Sequence, residues 1–531
     1  EIPLRLVGSE MCIRDRNFSV CVMIVLLIVL GIAAVIVLPQ RIQAYRQSRK
    51  LNGAKVILYE GPKSLRDATV EDLENTSEKG RNIALLHCTD TRITINGEEC
   101  YVYDTCVNHT RQWVSNYLPP LSRTPIAYFD FEGAALITLT VPDRDLTEVT
   151  ISPLSYEITP KVDPRDHTVT FLIDTPDAYT VQFGNSTERA VHIFANALEE
   201  PEEIPDPEDP NVIYIGPGEW NIESIMLRKG QTLYLAGGSV VHGIANANFE
   251  SDITVCGRGI LDESHSEGWQ GKDANLPLKF DHCSGVTIQD IIVLNPNAWA
   301  CQAYDSHDGV IDGVKIITAR PNGDGISLQS CQNYEVKNCF VRSWDDSLVV
   351  KNYDQNSNDI RFSQIQLWTD FAQSMEVGYE TNKGNQPDAY IRNVEFTDIT
   401  VLHNFHKPVI SVHNGDDAVV EDITFRNIVV EHEEVGSGDA EEMPYLIDLN
   451  IMQNSNWSTT AERGQIRNIV LENVNFLEGT PNGCRIQGFD QRHRVENVTI
   501  ENLTLFGKKI KAAEEGIFHI DADTVDCVQF R

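Results

Sequence analysis

Short segments of alternating apolar and polar residues fill the chain from residue 51 to residue 198. Pro, Gly, Asp and Asn separate these segments. Short strands at close spacing are typical of an antiparallel β-sandwich, in which each strand buries one face and exposes the other. The pattern therefore predicts a β-sandwich domain over residues 51–198. The segments that carry this prediction are RITI (92–95), ALITLTV (135–141), EVTISPL (148–154), TVTFLI (168–173) and YTVQF (179–183).

A proline-rich acidic stretch separates this region from the rest of the chain. Residues 199–210 read EEPEEIPDPEDP, with four prolines and seven acidic residues. Such a sequence cannot bury an apolar face, and proline favours extended backbone. We expect an extended, semi-rigid linker at 199–210 and a second domain over residues 211–531.

A different sequence pattern follows the linker. β-Branched runs recur, each with a polar residue where the chain turns, and several of the intervals between these residues lie between 22 and 34. A period of this size indicates stacked supersecondary units. No helical periodicity separates the runs, so helical and leucine-rich solenoids are excluded and a parallel β-helix is favoured over a sandwich with hairpin turns. The marking residues are Asp290, Asp312, Asn338, Gln364, Asp398, Asn427, Asn473 and Asn502.

The N-terminus carries an uncharged apolar run, Phe18 to Leu38. Its length suffices to cross the roughly 30 Å of a bilayer core as a helix. We therefore expect a transmembrane or signal segment with a basic flank over residues 17–50, and an exported protein at the cell surface or outside the cell. Residues 1–16 resemble translated adapter sequence and are interpreted as a non-native leader.

Composition and charge exclude some classes of binding partner. The 531 residues are 41% hydrophobic and 23% charged, as in folded globular proteins. The formal net charge is -35, so the average surface potential repels phosphate backbones and also uronate polymers. Nucleic acid is not expected as a partner, and membrane contact is expected only through the N-terminal helix. The 12 cysteines are too sparse for a disulfide scaffold and leave one or two disulfides or buried free thiols as alternatives.

Three carboxylates carry the candidate chemistry. Asp324 lies in NGDG (322–325), and Asp345 and Asp346 lie in WDDSLVVK (344–351). The spacing of 21 and 22 residues is close to one coil of a small β-helix, whose strands stack about 4.8 Å apart. On a regular strand Asp345 and Asp346 would face opposite ways, so the prediction requires a bend or bulge there.

Three clustered carboxylates cannot all stay ionised at low cost, so at least one should have a raised pKa. Glycoside hydrolysis needs such a group, because an acid protonates the leaving oxygen while an ionised base activates water. A solvated acidic face or a calcium site would also show clustered carboxylates. The residues alone leave these alternatives open.

Residues from about 210 to 430, and more weakly to the end, resemble the polygalacturonase-like proteins, family 28 of the glycoside hydrolases. The resemblance implies an all-β chain with a right-handed parallel β-helix preceded by a β-sandwich domain, and hydrolysis with inversion. It implies that Asp345 is the general acid and that Asp324 and Asp346 hold and deprotonate the water. The motifs that carry it are PGEW, GQTLYLAGGSVVHG, VCGRGILD, NGDG and WDD, with SPLSY and HIFAN in the preceding region.

Two departures from the family bear on the substrate. The family's Gly-His-Gly corresponds to Ala-Gln-Ser at 372–374, so Gln373 replaces the histidine. Its Arg-Ile-Lys, which pairs with a uronate carboxylate, corresponds to Ile-Ser-Val at 410–412. A guanidinium fork gives bidentate carboxylate recognition, so its loss favours a neutral sugar, or a uronate at another subsite. The predicted substrate-binding residues are Asn322, Lys351, Gln373, Glu376, Glu380 and His413.

Two other functions compete with the hydrolase. A calcium-dependent polysaccharide lyase would need a lysine or arginine base beside the carboxylates, for which Lys351 is the candidate. A non-catalytic glycan-binding surface protein would use the long face of a β-helix. The leading prediction is a glycosidase acting on a polysaccharide or oligosaccharide, with no cofactor and no metal ligands assigned.

Overall fold

The computed structural model describes residues 51, 53–67, 83–112, 121–266, 276–436, 438 and 444–531. The leader at 1–16 and the apolar segment at 17–50 lie outside these residues. Within the described ranges, no helix combines the length and apolarity needed to cross a membrane.

The described residues of the first part of the chain include one short helix and twelve strands. The helix is α1 (Lys63–Asp67), and a 3-10 turn covers Leu154–Tyr156. The strands are β1 (Lys55–Leu58), β2 (Leu86–His87), β3 (Arg92–Ile95), β4 (Glu98–Cys100), β5 (Val102–Val107), β6 (Ser122–Glu132), β7 (Ala135–Thr140), β8 (Val149–Ser152), β9 (Lys161–Asp163), β10 (Thr168–Ile173), β11 (Asp177–Phe183) and β12 (Ser186–Ala197).

These strands form two sheets. One has the order β2-β5-β6-β12-β11-β8 with β1 also on β6, and the other has the order β4-β3-β7-β10-β9. Fully buried and partly buried residues alternate along β7 and β10, as expected for strands with one apolar face. Ile137 and Val169 of the second sheet share a core with Phe129 and Ile193 of the first. We call residues 55–197 the N-terminal sheet pair.

The rest of the chain forms one 29-stranded sheet that coils on itself. Each strand pairs in parallel mainly with strands one coil away. In the described part of this sheet a single pair is antiparallel, β38 (Leu503–Leu505) with β39 (Lys508–Ile510). This confirms the all-β class and the parallel β-helix, and it excludes the hairpin sandwich for this region. A 3-10 turn covers Ala513–Glu515.

The strands of the β-helix are as follows. β13 (Val212–Ile215), β14 (Gly218–Met226), β15 (Thr232–Leu235), β16 (Ser239–Asn248), β17 (Ser251–Gly257), β18 (Ile260–Asp262), β19 (Leu278–Asp281), β20 (Ser284–Gln289), β21 (Ile292–Leu294), β22 (Cys301–Tyr304), β23 (His307–Asp312), β24 (Lys315–Ile317), β25 (Ile326–Gln329), β26 (Gln332–Lys337), β27 (Phe340–Ser343), β28 (Leu348–Asn352), β29 (Ser357–Thr369), β30 (Met375–Thr381), β31 (Tyr390–His406), β32 (Ile410–Asn414), β33 (Val419–Val435), β34 (Tyr445–Ile451), β35 (Gln465–Gly479), β36 (Gly483–Gln487), β37 (Val495–Glu501), β38 (Leu503–Leu505), β39 (Lys508–Ile510), β40 (Phe518–Ile520) and β41 (Val525–Phe530).

Aliphatic side chains stack inside the coils. On β25 and β28, for example, Ile326, Leu328, Leu348 and Val350 join the core, and the residues between them face outward. The described cysteines are free thiols, and eight of them are buried. Of the two alternatives for the cysteines, the structure therefore has buried thiols.

The polar turn residues that mark the sequence repeat form a ladder along the β-helix. Asn338, Gln364, Asp398, Asn427, Asn473 and Asn502 all have left-handed backbone with φ between 54° and 56°. Asn is among the residues that adopt this conformation at least cost. The Asn427 amide donates to Asp398 at 2.8 Å, and the Asn473 amide donates to Asn427 at 3.0 Å. The repeat in the sequence thus records a stack of turns.

We expect Asn427→Ala to destabilise the protein by about 1–2 kcal/mol. Alanine cannot make the ladder hydrogen bonds. It also adopts left-handed backbone at a higher cost than asparagine, whose polar side chain can form local hydrogen bonds there. Asn427→Gly keeps the backbone conformation accessible and should cost less. Urea unfolding of the two variants checks this order. Equal losses would contradict a contribution from the backbone conformation.

The N-terminal sheet pair packs along one side of the β-helix. Tyr103 and Phe194 of the sheet pair share an apolar cluster with Phe340 and Trp368 of the β-helix. Buried polar contacts cross the same boundary, including Arg258 Nε to both carboxylate oxygens of Asp130 at 3.1 and 3.0 Å, and Lys315 Nζ to Asn196 Oδ1 at 2.7 Å. The two parts therefore share a core.

Candidate active site

Asp324 and Asp346 lie at the start of two neighbouring strands. Asp324 comes two residues before β25, and Asp346 comes two residues before β28. Because Ile326 pairs with Leu348, the two aspartates occupy the same register position in successive coils. The Gly325 amide donates to the Asp346 carbonyl at 2.8 Å and ties the two turns together.

Asp345 joins them from a bend that follows β27. Its carboxylate accepts a hydrogen bond from the Asp346 amide at 3.1 Å and another from the Asn322 amide. The bend provides the departure from regular strand geometry that adjacent Asp345 and Asp346 require if they are to share one side. Asn322, which was predicted to bind substrate, acts here through its main chain on Asp345.

Burial raises the pKa of all three carboxyls. Asp324 is 3% exposed and Asp346 is 8% exposed, and the charge of Asp345 raises the pKa of both further. Lys351 opposes this shift at each of the three. The group therefore keeps at least one proton at a pH where isolated aspartates are ionised, and the three carboxyls share that proton.

Lys351 and Glu380 form an ion pair beside the aspartates. Lys351 Nζ lies 3.2 Å from Glu380 Oε2, and both residues are buried. Burial alone would lower the pKa of Lys351, but the neighbouring carboxylates, Glu380 above all, raise it well above its usual value. Lys351 was predicted to bind substrate. It faces outward from β28, since Val350 points into the core, and Glu380 from the next coil covers it.

Glu376 and His413 lie one and two coils beyond the aspartates. Both were expected to contact sugar hydroxyls directly, but their side chains have no exposed surface. His413 Nδ1 donates to Glu376 Oε2 at 2.9 Å, and Ser411 donates to the same carboxylate. The prediction failed to account for this mutual pairing, which leaves the two side chains beneath the surface. Glu376 instead acts on the site electrostatically, because its charge raises the pKa of Asp346.

This pair continues into a row of alternating charges. His413 Nε2 donates to Asp448 Oδ2 at 3.0 Å, and Arg485 Nη2 donates to the same oxygen at 2.6 Å. Burial would lower the pKa of His413, but Glu376 and Asp448 raise it to about 10. The imidazolium is therefore fixed between two carboxylates. We call Glu376, His413, Asp448 and Arg485 the charge row.

Gln373 connects the charge row to the aspartates. Its main-chain amide donates to Asp346 Oδ1 at 3.0 Å, and its side-chain amide donates to the Tyr379 hydroxyl at 3.0 Å. The Tyr379 ring stacks on His413 with centroids 4.6 Å apart. Gln373 thus holds Asp346 through its main chain, at the position where the sequence resemblance implied a histidine in the family.

Trp344, beside the aspartates, is completely buried. Its ring stacks on Phe371 at 4.7 Å, and its indole donates to the Thr110 carbonyl of the N-terminal sheet pair at 2.8 Å. It therefore packs inside the protein, and the turn that carries Asp345 is braced from outside the β-helix.

At positions 410–412 the sequence lacks the Arg-Ile-Lys of the family, and the structure shows where the replacing residues lie. Ile410 and Val412 point into the core of β32. Ser411 faces outward, where it is bound to Glu376. None of the three can supply a cation to a uronate.

Asp448 and Arg485 were not predicted. The signal for Asp448 was in the sequence YLIDLN (445–450), where an acid lies between two core residues of a strand, Ile447 and Leu449. Such an acid faces outward on the same sheet as His413, one coil later. Arg485 carried the same signal, because it lies between the core residues Cys484 and Ile486 of β36 and pairs with Asp448 one coil earlier.

Comparisons with known proteins give the family. The model of the Glycosyl hydrolases family 28 matches residues 240–518, slightly more than half of the chain. A "Probable polygalacturonase" of Vitis vinifera is 21% identical over 229 residues, which are 40% of this chain and 45% of that protein. The chain thus spans about half the length of this relative.

A solved structure shares the fold. The protein titled "Dex49A from Penicillium minioluteum" superposes with a TM-score of 0.58 at 13% identity, over 88% of this chain and 97% of that one. The Family 28 exopolygalacturonase of Yersinia enterocolitica gives a TM-score of 0.43 at 12% identity, over 75% of this chain and 96% of that one. With the family match over the β-helix and its aspartates, the chain belongs to family 28 of the glycosyl hydrolases.

Proposed function

We propose that this protein is a glycosidase that cleaves O-glycosidic bonds of a polysaccharide with inversion at the anomeric carbon. The observation that carries the proposal is the register of Asp324 and Asp346 in successive coils, with Asp345 beside them. An inverting glycosidase needs one protonated and at least one ionised carboxyl across the scissile bond. Three neighbouring carboxyls that share a proton provide both states.

In the proposed mechanism Asp345 protonates the leaving oxygen, and Asp324 and Asp346 hold and deprotonate the water. In the free protein the amides of Asn322 and Asp346 favour the ionised form of Asp345, while burial and repulsion raise the pKa of the other two further. The mechanism therefore requires the proton to move to Asp345 when substrate displaces water from the site.

We propose a neutral sugar at the cleavage site. Each of the cations Lys351, His413 and Arg485 already contacts a carboxylate. Binding a uronate through one of these three would require breaking its carboxylate pair, which costs several kcal/mol where the pair is buried. Lys407, whose charge also acts on Asp345, is itself largely buried. The relative named a probable polygalacturonase would suggest polygalacturonate, but positions 410–412 lack the cations for it.

The lyase alternative is disfavoured. A lyase base must be unprotonated to take a proton from carbon, and Glu380 holds the candidate base Lys351 in its protonated form.

A panel of neutral and acidic polysaccharides tests the function. We expect new reducing ends from a neutral polymer, an inverted anomeric configuration by NMR at early times, and no ultraviolet absorbance from a new double bond. Activity should persist in a chelator. Unsaturated products, or cleavage of polygalacturonate alone, would contradict the proposal.

Lys351→Met should move both limbs of the pH profile of kcat/KM to higher pH. Lys351 lowers the pKa of all three aspartates, so its removal raises them. The acid then stays protonated to higher pH, and the base ionises only at higher pH. Lys383→Met is the matched control, because Lys383 contacts the same Glu380 at 3.5 Å but is half-exposed. Limbs that stay in place or move to lower pH in the Lys351 variant would contradict this role.

The remaining parts of the chain complete the proposal. The shared core of the two smaller sheets supports a β-sandwich domain at 51–198 that braces the active-site turn through Trp344, with a linker at 199–210 and the catalytic domain at 211–531. Export to the cell surface or beyond is proposed from the apolar segment at 18–38.

A further inference from the structure

A second cluster of ionisable side chains lies near the start of the β-helix. Glu219 is on β14, His242 is on β16, and His265 follows β18. One potential ligand atom from each lies within 4.8 Å of the others. The glycosidase mechanism proposed above uses none of the three.

His242 is oriented by a buried carboxylate. Its Nδ1 donates to Asp262 Oδ2 at 2.8 Å, and Asp262 is fully buried and accepts a further hydrogen bond from Asn295 at 2.6 Å. The other ring nitrogen, Nε2, lies 2.8 Å from Glu219 Oε1. The ring therefore presents Nε2 to a second carboxylate while its Nδ1 is anchored from behind.

His265 presents the same nitrogen. Its Nδ1 lies 3.1 Å from Asn221 Oδ1, and since an amide oxygen only accepts hydrogen bonds, Nδ1 carries the proton. In the neutral ring Nε2 then holds a free lone pair. The two imidazoles stack with centroids 3.8 Å apart and planes inclined by 15°. Because each lone pair lies in its ring plane, stacked rings do not direct both Nε2 atoms at one point. The exposed His265 ring must therefore turn out of the stack for both histidines to bind one ion.

We propose that Glu219, His242 and His265 bind a divalent transition-metal ion, with Zn²⁺ as the best fit. Two imidazoles and a carboxylate are ligands that zinc prefers. A histidine that ligates a metal usually donates its other N–H to a carboxylate or carbonyl, as His242 does to Asp262 and His265 does to Asn221. Zinc would displace the proton between His242 Nε2 and Glu219 into the solvent, and a water molecule would complete four ligands.

The site is separate from the aspartates. Asp262 pairs with Leu294, and Leu294 pairs with Ile317, the last residue of β24 before the turn to Asp324. His242 lies one coil before Asp262, so three coils, or roughly 14 Å at about 4.8 Å per strand, separate it from that turn. A bound ion would fasten β14, β16 and the segment after β18 to one another.

Zinc binding to the purified full-length protein tests the proposal. After treatment with a chelator and dialysis against Zn²⁺, we expect one zinc per chain by mass spectrometry and a higher melting temperature than without zinc. Co²⁺ in place of zinc should give the visible absorption of a four-coordinate site.

The exposed ligand gives the decisive variant. His265→Ala should weaken zinc binding at least tenfold and abolish the zinc-dependent stabilisation, and Glu219→Gln should weaken binding while leaving both imidazoles in place. His307→Ala is the matched control, because His307 is an exposed histidine beside Asp308, on β23. Less than one zinc per chain, or wild-type affinity in His265→Ala, would overturn the proposal.

Discussion

Asp345→Asn should lower kcat on the polysaccharide by about 10²- to 10⁴-fold, the range over which general acid catalysis contributes. The amide keeps the shape of the carboxyl and can still accept the hydrogen bond from the Asp346 amide. Binding of the sugar should therefore persist, and KM should change little. Initial rates of reducing-end release, with binding measured by calorimetry, check both expectations.

A substrate with a good leaving group separates the roles of the three aspartates. A nitrophenyl glycoside of the accepted sugar needs little protonation as it departs, so Asp345→Asn should slow its hydrolysis much less than that of the polymer. Asp324→Asn and Asp346→Asn should slow both substrates alike, because each removes a group that acts on the water.

Asp417→Asn is the control for these variants. Asp417 belongs to the other Asp-Asp pair of the chain and is exposed, with a hydrogen bond from Asn382 at 2.6 Å. It should leave the rate unchanged. If Asp345→Asn hydrolyses the polymer as fast as the wild type, the catalytic assignment is wrong and a glycan-binding function becomes the better explanation.

Arg342→Met should cost about 3–5 kcal/mol of the free energy of unfolding, because it leaves a buried carboxylate without its partner. Arg342 and Asp370 are both fully buried and form a bidentate pair, with Nε to Oδ2 at 3.0 Å and Nη2 to Oδ1 at 3.2 Å. The guanidinium also lies over the Trp368 ring at 4.3 Å and contacts His192 of the N-terminal sheet pair at 3.2 Å. Urea unfolding followed by tryptophan fluorescence measures the loss.

Two further variants test the cause of this loss. Arg342→Met combined with Asp370→Leu replaces both charges with apolar groups and should regain much of the stability. Lys55→Met breaks an exposed pair with Glu132, whose side chains are 69% and 61% exposed, and should have no measurable effect. A double variant no more stable than Arg342→Met would show that packing, and not the uncompensated charge, causes the loss.

The sequence predicted those parts of the molecule that depend on local repetition. Polar residues such as Asn427 and Asn473 recur because each coil needs a left-handed turn, so they marked the β-helix without any knowledge of its contacts. Asp324 and Asp346 could be placed together because about one coil separates them along the chain.

Contacts between distant segments could not be predicted in the same way. His413 and Asp448 lie 35 residues apart, and Asp448 and Arg485 lie 37 apart, because loops lengthen the later coils. A fixed period therefore does not align them. Burial of Trp344 depends on Thr110, which lies 234 residues away, so its packing against the sheet pair had no local signal.

The apolar seam between the sheet pair and the β-helix limits how a gene for this protein can be shortened. Expression from residue 240, where the family match begins, would expose Phe340 and Trp368 to solvent. It would also remove β14, the strand that carries Glu219. Such a fragment should be prone to aggregation. Engineers who seek a minimal enzyme should retain both halves and shorten surface loops instead.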